Sequence, residues 1–408
     1  MTIQHLHAGV DAAPDSAVAV PVEPGLRALV VAGIAAEHAE AVDRDAHFPA
    51  EAIAAAKAHR LMSLLVPAEF GGEGADLAAV ADVAYALGRA CASTAMIFAM
   101  HQTKVACLVD HGRGQPWHDD LLRRLAREQL LLASSTTEGQ GGGNVRSSAA
   151  AIEPDGADGA VITLDRAATV ISYGAEADGV VTTARRAPDA AASDQVLAVF
   201  LKEDYALERL SGWETLGMRG TSSFGFRLRA RGLPAQVLPV PYQAIHAQTM
   251  TPVSHILWSS AWAGIAAGAV ERAQAFTRQA ARGAGGQLPP GASHYGKAAS
   301  SLRTLRTLIA GALDRYAQAR GDAKALASLD VQTAVTMLKV EASELALATV
   351  SSSMRACGLA GYRQDGAFSI GRALRDILSA PIMIHNDRIT ANLAATGLMS
   401  TVPASLRD

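Results

Sequence analysis

Residues 136–148, Thr136-Thr137-Glu138-Gly139-Gln140-Gly141-Gly142-Gly143-Asn144-Val145-Arg146-Ser147-Ser148, decide how the fold is read. A hydroxyl-rich strand end runs straight into a glycine loop. Glycines let a backbone approach a ligand closely and reach positive φ, while the adjoining hydroxyls and freed N–H groups donate hydrogen bonds. Such a loop can seat a flat, polar cofactor. It is neither of the common phosphate loops, because Asn144 stands where G-x-G-x-x-G needs its last glycine and no Gly-Lys-Ser/Thr follows. Taken alone, the stretch also reads as an ordinary hairpin loop, so its surroundings must decide.

On its N-terminal side, from Gly25 to about Glu128, apolar residues recur at helical spacing, as in Leu26, Leu29, Val30, Gly33 and Ile34, with breaks at Phe48-Pro49 and Val66-Pro67. Near Leu130 the pattern changes to short β-rich runs separated by turns, at 130–135, 149–153, 160–164, 180–184, 196–200 and 224–228. Helical periodicity returns after Pro241 in long stretches at 253–282, 295–319 and 323–357, with a Gly/Pro-rich break at 283–291. The pattern predicts a disordered tail (1–24), an N-terminal α-helical domain (25–129), a middle β domain (130–241) and a C-terminal α-helical bundle (242–408). The fold class is mostly α with a β insert.

Composition agrees with this division. At 408 residues the chain exceeds one typical core. Half of it is hydrophobic but only 5% aromatic, so alanine and aliphatic residues carry the apolar count, which favours helix. The net charge of −3, without a basic block, excludes nucleic acid as the expected partner and leaves a small molecule. Cys91, Cys107 and Cys357 lie far apart, with no C-x-x-C; neither a metal site nor a disulfide framework is expected, and a reducing cytoplasm fits. The apolar run 258–270 is too short to span a bilayer and contains Ser259 and Ser260, so it reads as a buried core helix, without membrane insertion.

Further strings flank the glycine loop: Leu65-Val66-Pro67-Ala68-Glu69-Phe70-Gly71-Gly72-Glu73-Gly74 before it, then Ile171-Ser172-Tyr173-Gly174 and Leu216-Gly217-Met218-Arg219-Gly220-Thr221. Near the end come Cys357-Gly358-Leu359-Ala360-Gly361-Tyr362 and Arg372-Ala373-Leu374-Arg375-Asp376. In this order and at these separations the strings resemble the acyl-CoA dehydrogenase family of flavoproteins, over nearly the whole chain. The resemblance implies an N-terminal α bundle, a middle β-barrel-like domain and a C-terminal four-helix bundle, the order already read from periodicity. It also implies FAD between the β domain and the last bundle, with its adenine end reaching a neighbouring subunit in a homodimer or homotetramer.

Carried over by position, Thr137 and Glu138 fall on the family's Thr-Glu, preceded by Thr136, and these residues are expected at the flavin's pyrimidine edge. Gly142 falls on a family glycine, while Gly143 and Asn144 replace a Ser-Asp pair on the substrate side. Ile171 and Ser172 match an Ile-Thr/Ser pair beside the flavin ring, but Val170 replaces its aromatic shield. Ser172 also reads as a turn-capping serine. Arg282 is the candidate for the adenine-side arginine, and Arg355 stands where a diphosphate-contacting glutamine is usual, followed by Gly358. Met218 to Thr221 reads as a structural turn into a strand.

The reacting end departs most from the family. Its catalytic glutamate column holds Ile384, and a one-residue slip puts His385 there, ahead of Asn386 and Asp387. Imidazole can take a proton near neutral pH, and a partly desolvated Asp387 could as well. Asn386 is counted with the flavin-side residues. On an earlier helix, where some relatives carry the base, Ser254 and His255 appear without a carboxylate. His101 lies on the helix expected to line the acyl pocket.

The resemblance implies FAD-dependent α,β-dehydrogenation of an acyl thioester, on CoA or acyl carrier protein, with hydride transfer to flavin N5 and an electron-acceptor flavoprotein as partner. The alternative on the same fold is a two-component flavin-dependent monooxygenase, using FAD or FMN supplied by a flavin reductase, with histidines in place of the glutamate. A third reading is a catalytically silent acyl- or carrier-binding flavoprotein.

Overall fold

Periodicity becomes helix at the first described residues of a computed structural model that covers 23–138, 146–156 and 159–398. Helix α1 (Pro24–Asp45) opens on a proline, which suits a helix start, and buries Ala28, Val31, Ala35, Ala39 and Val42 along one stripe. Then come α2 (Ala50–Ala58), α3 (Leu77–Ala90), α4 (Ala92–His111) and α5 (Pro116–Glu128). Asp76 caps α3 by accepting from the Ala79 N–H at 2.8 Å. Helix α4 is buried on nearly every face, which explains why its sequence shows little amphipathic contrast.

Strands follow: β1 (Leu132–Ser135), β2 (Glu153–Asp155), β3 (Val161–Ile171), β4 (Gly179–Arg185), β5 (Gln195–Leu201), β6 (Tyr205–Arg209) and β7 (Phe224–Gly232). They form two sheets, ordered β1-β4-β5 and β2-β3-β7-β6, with β1 parallel to β4 and the other pairs antiparallel. Strand β5 is buried on both faces, whereas β3 and β7 alternate between core and solvent. The run expected at 149–153 supplies only a bridge at Ala151 and the start of β2, and β6 is an addition to the expected strands.

The chain then returns to helix: α6 (Tyr242–Ile245), a π-helical turn (His246–Met250), α7 (Thr251–Gly283), α8 (Ala292–Ala319), α9 (Ala323–Leu326) and α10 (Leu329–Cys357). Four short helices complete it, α11 (Leu359–Tyr362), α12 (Gly371–Ile377), α13 (Ser379–Ile382) and α14 (Asn386–Gly397). Helices α7, α8 and α10 pack on one another, and α11 to α14 pack in succession along α10. Helix α7 also packs on α3 and α4, joining the two helical parts. The α3–α7 crossing is set by glycine: a Cβ at Gly88 would lie 2.4 Å from the Ala261 carbonyl oxygen, and one at Gly264 would lie 2.3 Å from that of Tyr85. The segment from Tyr242 to Gly283 is long and apolar enough to cross a membrane, but 94% of its most apolar window is buried inside the protein as core.

Candidate active site

Where the two sheets meet α4, the start of α7 and the 375–388 segment, a cavity of about 730 Å³ opens. Helix α4 contributes Met96, Met100, Thr103 and Lys104, spaced i, i+4, i+7 and i+8 on a single face. Opposite, Tyr242, His246, Met250, Ser254 and Trp258 follow one another every four residues through the π-helical turn into α7, with Thr251 and His255 alongside. The ends of β1 and β3 bring Ser134, Thr136, Thr137, Glu138, Thr169, Val170 and Ser172. Trp213, Leu216, Met218 and, from the C-terminal segment, Ile382 to His385 complete the wall. Three lining residues other than glycine, Met218, Ile384 and His385, hold φ of 54°, 51° and 56°. Such conformations persist where surrounding structure fixes them, and they cluster at functional sites.

Of the residues chosen from sequence, Thr136, Thr137, Glu138, Ser172 and His385 line this cavity. Both Glu138 oxygens are engaged: they accept from the Ala149 and Ala150 N–H groups and lie 3.3 Å from the buried Arg166 guanidinium. Ser172 accepts from Ser223 at 2.8 Å, and Ser223 lies 2.7 Å from Thr221. With one lone pair engaged by Ser223, the Ser172 hydroxyl keeps its own proton to donate to a ligand. Gly142, Gly143 and Asn144 lie outside the described residues.

Other candidates sit elsewhere, each for a physical reason. His101 is fully buried, with Nε2 2.7 Å from the Met62 carbonyl and Nδ1 accepting from the Leu132 N–H at 3.0 Å. Both nitrogens tie α4 to its neighbours, and burial pushes its pKa down to about 4. That withdraws it from the substrate role. Ile171 is core, and it positions Ser172 rather than touching the cavity. Asn386 is buried beneath the site, accepting from Lys339 Nζ at 2.6 Å and donating to Ser343 and Glu344, so it locks α14 onto α10. Asp387 is exposed in the first turn of α14, where a negative charge suits the helix dipole, and it does not line the cavity. Arg282, Arg355 and Gly358 are exposed near the ends of α7 and α10, off the cavity.

Residues that sequence reading passed over, Lys104, His246, Tyr242 and Trp258, together with His255 on the earlier helix, supply much of the polarity. Lys104 is 4% exposed, and its amine rests 2.9 Å from Met250 Sδ; burial pulls its pKa down to about 8. His246 is held to about 4 by burial, then by the positive charges of Arg146 and Lys104. His255, with Nδ1–H donating to the Val335 carbonyl at 3.0 Å, is also lowered to about 4, chiefly by burial. Tyr242 Oη and Trp258 Nε1 are buried atoms without a hydrogen-bond partner. The available signal was the row of five residues at four-residue spacing from Tyr242 to Trp258, in which polar tips interrupt an apolar helix face.

The aspartate of the Arg375-Asp376 string holds a wall in place: Asp376 accepts from the Met218 N–H at 2.7 Å, and Arg375 pairs with Asp43. The Met218 to Thr221 turn is structural, its Arg219 donating to the Asp43 carbonyl at 2.7 Å ahead of β7.

A probable acyl-CoA dehydrogenase, fadE25, of Mycobacterium leprae is 24% identical over 360 residues, covering 86% of this chain and 87% of that protein. Cyclohex-1-ene-1-carbonyl-CoA dehydrogenase of Syntrophus aciditrophicus is 25% identical over 390 residues, covering 92% and 88%. The solved structure of FMN-bound TdsC from Paenibacillus sp. A11-2, a protein named dibenzothiophene monooxygenase, superposes with a TM-score of 0.79 at 20% identity, over 94% of this chain and 98% of that one. That likeness concerns the fold. Residues 25–129 match the acyl-CoA dehydrogenase N-terminal domain, and relatives named as acyl-CoA dehydrogenases align along most of the chain.

Proposed function

We propose that this protein is a flavin-dependent monooxygenase that takes reduced FMN or FAD from a separate reductase and oxygenates a small organic substrate in the cavity. The observation carrying this reading is the lining itself: among the described lining residues Glu138 is the one carboxylate, and it is already committed to backbone N–H groups and Arg166. Removing an α-proton from an acyl thioester needs a free base at the reacting carbon. The cavity offers instead three imidazoles, His246, His255 and His385, and the Lys104 amine.

The residues fit a flavin. A cavity of about 730 Å³ falls within the range of cofactor sites, hydroxyls of Thr136, Thr137 and Ser172 gather at its sheet end, and unpartnered Trp258 Nε1 awaits an acceptor. When bound, reduced flavin supplies the two electrons with which one oxygen atom of O₂ enters the substrate and the other leaves as water. Thr136, Thr137 and Ser172 would hold the ring's polar edge. Trp213 and Trp258 offer the aromatic walls that Val170 lacks. His385, exposed at the mouth on the wall opposite the sheets, would exchange a proton between solvent and the reacting centre. Buried neutral His246 and His255 add no positive charge at physiological pH.

The test pairs the purified protein with a flavin reductase, NADH and a panel of aromatic and heteroaromatic compounds. Substrate-dependent oxygen uptake with a hydroxylated product is expected, and anaerobic acyl-CoA should leave the spectrum of FAD-loaded protein unchanged. Bleaching of that flavin by any acyl-CoA would instead establish the dehydrogenase reading, which the curated relatives favour. In that case FAD, an acyl thioester and an electron-acceptor flavoprotein are the partners.

A further inference from the structure

Resting on the reading of this cavity as a catalytic site, we propose that its inner end recognises an organic acid: an apolar body carrying one anionic oxygen, which pairs with the Lys104 ammonium and accepts from the Tyr242 hydroxyl. Lys104 is 4% exposed yet lines the cavity, and its recorded contact is a thioether sulfur 2.9 Å away, a poor acceptor for an ammonium. A buried cation normally has a carboxylate partner, since desolvation otherwise disfavours its charge. Among the described residues none pairs with it, and the titratable groups felt around it are Cys107 on its own helix and His246 across the cavity.

Tyr242 supplies the second, independent sign of a ligand. It is 2% exposed, it lines the same cavity, and its hydroxyl has no partner. Tyr242 sits one turn before His246, with ring centroids 5.7 Å apart, and His246 one turn before Met250, the residue that touches Lys104. Two unsatisfied donors thus belong to facing rows of one pocket. The rest of those rows determines the body of the ligand. Met96 and Met100 stand two turns and one turn before Lys104 on α4, and Met250 and Trp258 lie opposite. Thioethers pack well against aromatic rings and adapt to their outline. A flat aromatic carboxylate or phenolate fits this combination.

The experiment is calorimetric titration of the full-length protein, at neutral pH, with matched pairs: benzoate against benzamide, 2-naphthoate against 2-naphthamide, and 4-nitrophenolate against 4-nitroanisole. Titration with FMN runs in parallel. Wild type is expected to bind each anion at least tenfold tighter than its neutral partner. Lys104→Met extends the methionine row without a charge; it should erase that preference while keeping FMN affinity within threefold and thermal stability at or above wild type. Tyr242→Phe should weaken the anions several-fold and spare the neutral partners. Equal affinity within each pair, no binding of either member at millimolar concentration, or a preference that survives Lys104→Met overturns the proposal, even if FMN still binds. Loss of FMN affinity in Lys104→Met would assign the amine to the cofactor and overturn it too. Failure of wild type to bind either FMN or FAD, oxidised or reduced, removes the flavin reading, which the anion titrations do not depend on.

Discussion

At the scale of single residues, two histidines chosen from the same sequence have opposite fates. His385 holds φ 56° on the cavity wall with its ring exposed, so His385→Ala should lower substrate oxygenation by about 10²–10³-fold, the usual worth of a positioned proton-transfer group. Flavin affinity should change less than threefold; a variant that keeps wild-type turnover removes His385 from the mechanism. His101→Leu acts on stability. It strands the Leu132 N–H in the core, while the Met62 carbonyl keeps Gln102 as a donor, so the cost is about 1–3 kcal/mol, read by urea denaturation. Substrate affinity measured well below the melting temperature should not move. Sequence could nominate both histidines but not separate them. Which ring nitrogen meets a backbone group depends on Met62 and Leu132, neither of them near His101 in the chain.

Among elements, the crossing of α3 and α7 controls the site because α7 carries the row from Ser254 to Trp258. Gly88 and Gly264 let the two backbones touch, and neither has a positive φ, so close approach is the reason for glycine here. Gly264→Ala should cost about 1–3 kcal/mol by overpacking. It should also weaken ligand binding by tilting the Ser254 to Trp258 row, whereas Gly311→Ala, on α8 with open space around its Cβ, should be neutral or slightly stabilising. Equal chemical-denaturation midpoints for the two variants would contradict this account of the crossing. The helical periods and domain order could be read locally, since amphipathic spacing is written along each helix. The π-helical turn could not: His246 to Met250 reads as ordinary helix, and only packing against α4 and α6 reveals the extra residue per turn.

For the whole molecule, the buried histidines tie folding to pH. His101, His246 and His255 are each lowered from 6.5 to about 4, so below pH 6.5 the unfolded chain takes up protons that the folded protein refuses. Their contribution to stability is complete above 6.5 and is lost as pH falls towards 4. Asp376 works in the opposite direction: burial raises its carboxyl from 3.8 to about 6, so between those values the folded state holds a proton that the unfolded chain releases. Among the groups moved furthest, three imidazoles outweigh one carboxyl, so the net effect is a loss of stability as pH falls through 5. Melting temperatures measured from pH 8 to 4 should therefore fall steeply below about 6.5. A flat profile would mean that these rings are solvated in the folded protein.

By itself the sequence determined the succession of helices, strands and helices, the likeness to acyl-CoA dehydrogenases, and the strand-end hydroxyls Thr136, Thr137 and Ser172, because each is carried by local spacing or a contiguous string. Tertiary structure alone decided what the cavity can do. It engaged both Glu138 oxygens, turned His101 and Asn386 into core ties, left Asp387 in solvent, and set Lys104 and Tyr242, 138 positions apart by number, on facing walls. The physical reason is desolvation: whether a polar side chain is a tie, a surface charge or a ligand-binding group depends on which partners remain once water is excluded, and those partners come from other elements.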